Sequence, residues 1–359
     1  MTATAYRPTQ EFSPELAPDS LNGVSLFVDP LVVAESFSAW RDVLHDESEY
    51  VWEVLHAAEK SGANIVDASS TAFAPDPENT YMFACINAGA PKQDELQVIE
   101  DVGIRRPRTL PLSDLLHNDG MEMPFVFANT RRDGGVEKYL VETDEQFAVV
   151  ERFASELLTT RRSNYELREF IATPSNRYTS YRILVDGGGN VLASGLLYSG
   201  QTSYCNKSII GPVGDPQDRF GIRSNMFTPF TDIRSNLNTG GEVIPLMGQY
   251  AQPPKSRHET QILEAHGIDA SQPETPADVL QQARIIGELV CKRAGLILGV
   301  DFLADADNNN EPVFLEFNGW PGAKTYHACH YKEADYSLMR FRPMMFAAGL
   351  ALLALRRNG

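Results

Sequence analysis

"GVDFLADADNNNEPVFLEFNGWPG", residues 299–322, reads as two apolar strands joined by a polar turn. Successive strand residues point to opposite faces. Phe314, Glu316 and Asn318 are therefore expected on one face, and Val313, Leu315 and Phe317 on the other. The turn "ADNNNE" (306–311) centres the hairpin so that Asp301 falls opposite Glu316, and cross-strand partners share a face. Asp301, Glu316 and Asn318 should then converge. Two carboxylates in an apolar hairpin repel and are costly to desolvate unless something positive lies between them. An oxygen-only donor set suits Mg²⁺ held jointly with phosphates. The "GWPG" break at 319–322 turns the chain at the mouth of that strand, where sites tend to be built.

The rest of the chain narrows the function classes. It has 359 residues, 43% hydrophobic and 22% charged, a length that suits two or three subdomains around separate cores. A net charge of −17 argues against nucleic acid or an anionic membrane surface as main partner, since both need a dense positive footprint. Bound phosphate must then be held by a local cluster of Arg, Lys or metal. Cys85, Cys205, Cys291 and Cys329 are far apart and form no CxxC pair, so neither structural zinc nor a disulfide framework is expected and a reducing cytoplasm fits. The first residues lack the basic-then-apolar pattern of a signal peptide. "MMFAAGLALLAL" (344–355) falls short of the about 20 apolar residues a membrane span needs and reads as a C-terminal core helix.

Along the chain, residues 1–20 read as a loose arm. Strands at 24–30, 63–69 and 80–87, with a helix over 47–62, make residues 21–90 a small α/β domain. Residues 91–122 hold a helix ending at Gly103 and an extended linker. "MPFVFANT" (123–130) and "KYLVET" (138–143) flank the loop "RRDGG" (131–135) as a hairpin. A helix over 144–160 follows, with Asp144 as N-cap. Then come "YELREFIAT" (165–173) and a hairpin over 180–199 around "DGGGN". Residues 200–245 resist assignment. A helix over 278–295 precedes the hairpin first quoted.

That hairpin resembles the metal-binding end of the ATP-grasp fold: a G-x-D strand, a turn, then an E-x-N strand ending in Pro-Gly. Further segments fall in the family's order. "ELQVIEDVGIRRPRTL" (95–110) resembles its lead-in helix and G-I-x-x-P-x-T stretch, and 123–141 its small-lobe hairpin. "YELREFI" resembles the hinge strand that reads adenine, "YRILVDGGGNVLASGLLY" the strand pair after it, and "RSNLNTGG" (234–241) the R-x-N-x-x-x-G-G segment of the branch that adds glutamate to peptides and proteins. The resemblance spans about residues 92–325. It implies an α+β architecture of two lobes clamping ATP behind a small α/β domain, with residues 123–199 as small lobe and hinge and 200–359 as large lobe. It implies Asp301, Glu316 and Asn318 as ligands of one or two Mg²⁺, with Mn²⁺ as substitute. Glu169, Phe170 and Ile171 would hold the nucleotide at the hinge. Arg182, Arg234 and Asn236 would act on the reacting groups.

The chain departs from the pattern in three places. The family's phosphate-binding Lys, four residues after the small-lobe Pro, is here Ala128, four after Pro124. Lys138, Arg131 or Arg132 are the candidates to supply that charge. No acid follows the hinge for the ribose hydroxyls, and Asn176 is the nearest polar residue. The Arg that related dipeptide ligases carry two residues before the metal-binding Asp is here Gly299. His327 and His330 have i, i+3 spacing but lack a third ligand for zinc, so a packed or substrate-facing role is expected. Lys324 stands just past the Pro-Gly turn.

The resemblance implies an ATP-dependent ligase joining a carboxylate to an amine on amino acids or short peptides, with a homodimer allowed by the fold. The competing readings are an ATP-grasp-type kinase and a nucleotide-binding regulatory protein without turnover.

Overall fold

The computed structural model describes residues 16–28, 55–67, 80–83, 99–115, 121–129, 138–159, 165–175, 178–199, 241–247, 253–294 and 297–318, with residues 325, 328, 329 and 354. Three sheets organise them. Strands β1 (Ser25–Val28), β2 (Asn64–Asp67) and β3 (Thr80–Phe83) form a parallel sheet in the order β2-β1-β3. A four-stranded antiparallel sheet, β4-β7-β5-β6, is built from β4 (Thr109–Pro111), β5 (Phe125–Asn129), β6 (Lys138–Val141) and β7 (Tyr165–Glu169). The third, antiparallel and five-stranded, runs β10-β9-β8-β11-β12. Its strands are β8 (Thr179–Asp186), β9 (Val191–Tyr198), β10 (Glu242–Pro245), β11 (Ile297–Asp305) and β12 (Glu311–Asn318). The architecture is α+β, as the sequence predicts. The hairpin over 180–199, expected with the small lobe, pairs instead with β10 and β11. The linker, for its part, contributes β4 to the four-stranded sheet.

Each antiparallel sheet buries one face under helices. Helix α1 (Asp144–Thr159) covers the four-stranded sheet, where Phe127 stacks on Tyr165 at 4.8 Å and meets Phe153 edge-on at 5.7 Å. Its start corrects the expected cap. The hydroxyl of Thr143 accepts from Gln146 N at 3.3 Å, and the Gln146 side chain accepts from Thr143 N at 3.2 Å. This is a capping box, and Asp144 is already the first helical residue. Helices α2 (Arg257–Ala265) and α3 (Ala277–Ala294) cover the five-stranded sheet. Helix α2 was not read from the sequence, although Ser256 and Glu259 carry the S-x-x-E signal: Glu259 N donates to the Ser256 hydroxyl at 3.2 Å. Helix α3 lies so close to β8 that a Cβ on Gly287 would stand 2.6 Å from the Asp186 carbonyl oxygen.

His266, at the end of α2, is enclosed in this core and hydrogen-bonded to Thr179 Oγ1 at 2.8 Å and Tyr181 OH at 2.9 Å. Burial pulls its pKa down from 6.5 to about 4. Between those values the unfolded chain binds the extra proton and the folded chain does not. Stability should therefore fall as pH drops from 6.5 to 4, by roughly 3 kcal/mol in full, and not further below that from this group. Urea unfolding across this window should show the loss in the wild type and, relative to it, a flatter profile in His266→Gln.

Candidate functional site

The face of the five-stranded sheet turned away from α2 and α3 carries a row of charged side chains. Arg182 on β8 is the register partner of Asp301 on β11, and Asp301 is in turn the partner of Glu316 on β12. The expected opposition of Asp301 and Glu316 is observed. The expected grouping of Phe314 with Glu316 is not. The register shifts between Asp301 and Phe302, so that Asp301 faces Glu316 while Phe302 faces Phe314. This β-bulge sends Phe314 into the helix-covered core and packs Leu315 with Leu303 and Val313 on the opposite face. Bulges re-aim side chains in this way. Without it, Phe314 and Glu316 would share a face, and one of them would be misplaced.

Arg182 grips Asp301 with two parallel hydrogen bonds, Nε to Oδ1 at 2.7 Å and Nη2 to Oδ2 at 2.5 Å. The pair is largely withdrawn from solvent, with side chains 13% and 6% exposed. Burial works against the Arg182 charge, but the charge and hydrogen bonds of Asp301, with the charge of Glu316, outweigh it and raise the pKa. Arg182 is thus charged at any working pH. A guanidinium has five N–H donors, so two bonds to Asp301 leave others for an incoming anion. Asn318 stands opposite Gly299 at the exposed end of β12. Among the described residues, no three His, Cys, Asp or Glu side chains form a metal cage by themselves.

Beside this row lies an apolar seam where the two antiparallel sheets meet. Ile171, Leu303 and Val313 form its wall on one side, and Val126, Ala128 and Leu140 on the other. Tyr178 packs against both groups and stacks on Phe170, ring centroids 6.3 Å apart. Phe170 and Ile171, the expected hinge residues, therefore line the seam. Glu169 is turned elsewhere. Its carboxylate accepts from Arg108 N at 2.9 Å and faces Arg105 at 3.6 Å, and its N–H donates to the Arg108 carbonyl.

Arg105 is a residue the sequence reading passed over. It also pairs with Asp305 at 2.6 Å and Glu311 at 3.4 Å, while its carbonyl accepts from Phe314 N at 2.8 Å. One linker residue thus ties the hinge to the carboxylate hairpin. A second tie runs from Ala306 N to the Ala172 carbonyl at 2.9 Å.

Lys138 is the register partner of Ala128, the position where the family's lysine is missing. Arg131, Arg132, Asn176, Arg234, Asn236, Lys324, His327 and His330 lie outside the described residues, as does the "GWPG" turn.

No family model and no curated protein matches the sequence. Solved structures resemble it in fold. The ATP-grasp ligase PsnB, complexed with minimal precursor, is 13% identical, covers 93% of this chain and 79% of its own, and gives a TM-score of 0.43. The likeness is to ATP-grasp proteins. D-cycloserine synthetase DcsG is 10% identical over 92% of this chain and 99% of its own, with a TM-score of 0.40. The RimK domain protein ATP-grasp from Sphaerobacter thermophilus is 13% identical over 91% and 98%, with a TM-score of 0.38. At these identities and TM-scores no residue role carries over from them.

Proposed function

We propose that the chain is an ATP-dependent ligase that activates a carboxylate and couples it to an amine, on an amino acid or short peptide. The observation that carries this reading is the Arg182–Asp301–Glu316 row beside an apolar seam lined by Phe170 and Ile171. The row suits a metal-bound polyphosphate and the seam a flat, weakly polar base.

The donors fit Mg²⁺. Two carboxylates and an amide are hard oxygen ligands, and Asp301 keeps lone pairs beyond those bonded to Arg182. Asp301, Glu316 and Asn318 would hold the ion. When bound, Mg-ATP would supply the phosphoryl group that converts a carboxylate into an acyl phosphate, from which an amine displaces phosphate to give the amide. The chain's own residues would position and neutralise, which is most of what phosphoryl transfer asks of a protein. Arg182 holds Asp301 in place and directs its remaining donors at charge developing on the reacting oxygens. The backbone of the Glu169–Ile171 stretch would meet the base, with the Glu169 carboxylate and N–H engaged by the linker. Arg234 and Asn236 remain proposed partners of the acyl phosphate, and Asn176 of the ribose.

Lys138, opposite Ala128, is the proposed cation of the small-lobe loop, with Arg131 as alternative. Lys138→Ala should raise the KM for ATP about fivefold to tenfold, the loss of one charge-assisted contact, and change kcat much less. An unchanged KM would pass the role to Arg131 or Arg132. The reading as a whole is tested by ADP release over a panel of amino acids and short peptides, followed by the mass of the product. An amide of the added pair supports it. A phosphorylated product that forms without any amine would favour a kinase instead.

A further inference from the structure

The four-stranded sheet turns one face to α1 and the other to the seam. Val126, Ala128 and Leu140 make up the seam face, packed with Phe170 and Tyr178. Register places Arg168 opposite Val126 and Glu166 opposite Ala128, so both belong to that face, while Leu167 between them points into the α1 core. Arg168 and Glu166 form an ion pair at 2.6 Å, with side chains 23% and 21% exposed. The pair is mostly withdrawn from solvent on an otherwise apolar face, where burying charge is costly, and its placement calls for a reason.

Its surroundings supply one. Burial raises the Tyr178 phenol pKa, Arg168 pulls it back, and Glu316 pushes it up again. Tyr178 packs against the walls beside both, Val126, Ala128 and Leu140 on one side and Leu303 and Val313 on the other. Arg168 on one sheet and the Asp301–Glu316 carboxylates on the other flank the same seam, a cation on one wall and metal-type donors on the other. A polyphosphate with its divalent ion is the chemical species that matches both walls.

We propose that Arg168 is a second, fixed cation, on the four-stranded sheet, that binds the nucleotide's phosphates beside the loop cation. This rests on the nucleotide of the ligase reading but not on the reaction that follows binding. Glu166 holds the guanidinium in the free protein and yields it to phosphate oxygens, which exchanges one charge-assisted pair for another. Arg168 differs from Lys138 in that it stands on a central strand of the sheet, beside the hinge, rather than at the edge of the hairpin loop.

The test is calorimetric titration of the full chain with ATP and Mg²⁺ and, separately, with adenosine, on the wild type, Arg168→Met, Arg168→Lys and Glu166→Gln. Arg168→Met should weaken ATP binding at least about tenfold, as loss of a charged hydrogen bond to phosphate implies, with adenosine affinity unchanged. Arg168→Lys should recover part of the loss. Glu166→Gln should tighten ATP binding, because it removes the competing carboxylate while keeping Arg168. This variant keeps the proposal falsifiable should Arg168→Met fold poorly. ATP affinity unmoved by Arg168→Met, or weakened by Glu166→Gln, would overturn the proposal and leave the ligase reading standing. A wild type that binds no adenine nucleotide would overturn both.

Discussion

Replacing Glu316 by Gln is expected to lower turnover about a thousandfold, the scale of losing several kcal/mol of metal-assisted charge stabilisation. The change is isosteric and removes one charge. Glu316 is partly exposed at the edge strand β12, so the fold should survive. The bulge that aims Glu316 at Asp301 depends on the backbone and on the packing of Phe314 and Leu315, which the substitution leaves alone. The variant should also need far more Mg²⁺ for whatever turnover remains, because the lost donor belongs to the ion rather than to the base. Steady-state ADP release against Mg²⁺ concentration checks both parts. Intact turnover would remove Glu316 from the metal site.

The second large effect concerns stability. Arg182→Met strips the buried Asp301 of its guanidinium partner, and breaking a buried pair from one side typically costs about 3–5 kcal/mol. Asp301 is 4% exposed, so water does little to replace the lost bonds. The pair itself need not be stabilising relative to an apolar substitute, since both ions were desolvated to form it. Arg182→Met combined with Asp301→Leu should therefore regain most of the lost stability while remaining inactive. Urea denaturation of the single and double variants separates these statements. A single variant as stable as the wild type would mean that Asp301 takes a proton or finds another partner at little cost.

These two residues also show what could be read in the sequence. The opposition of Asp301 and Glu316 was legible because both lie in one hairpin, and the turn between them sets the register. The grip of Arg182 on Asp301 was not. Its partners are 119 residues apart, and nothing local says that β8 lies beside β11. The bulge at Leu315–Glu316 was equally hidden, since alternation along "VFLEFN" reads as one unbroken strand. Arg168 went unremarked because a charged residue on a short strand is usually solvated, and only the pairing with β5 places it over the seam. Phe170 and Ile171, expected at the hinge, line that seam. The hold of Arg105 and Arg108 on Glu169 was not legible, since a linker's path over a sheet edge leaves no periodic trace. Helix α2 is the opposite case. Its capping signal at Ser256–Glu259 was present and was overlooked.

The measurement that bears most directly on the ligase reading follows a single oxygen atom. A carboxylate substrate found in the panel is labelled with heavy oxygen in its carboxyl group, and the phosphate released on coupling is examined by mass spectrometry. Activation through an acyl phosphate moves one carboxyl oxygen into that phosphate, so labelled phosphate in step with amide and ADP is the expected result. Amide formed with unlabelled phosphate, or ADP released at a rate that ignores the amine, would contradict it.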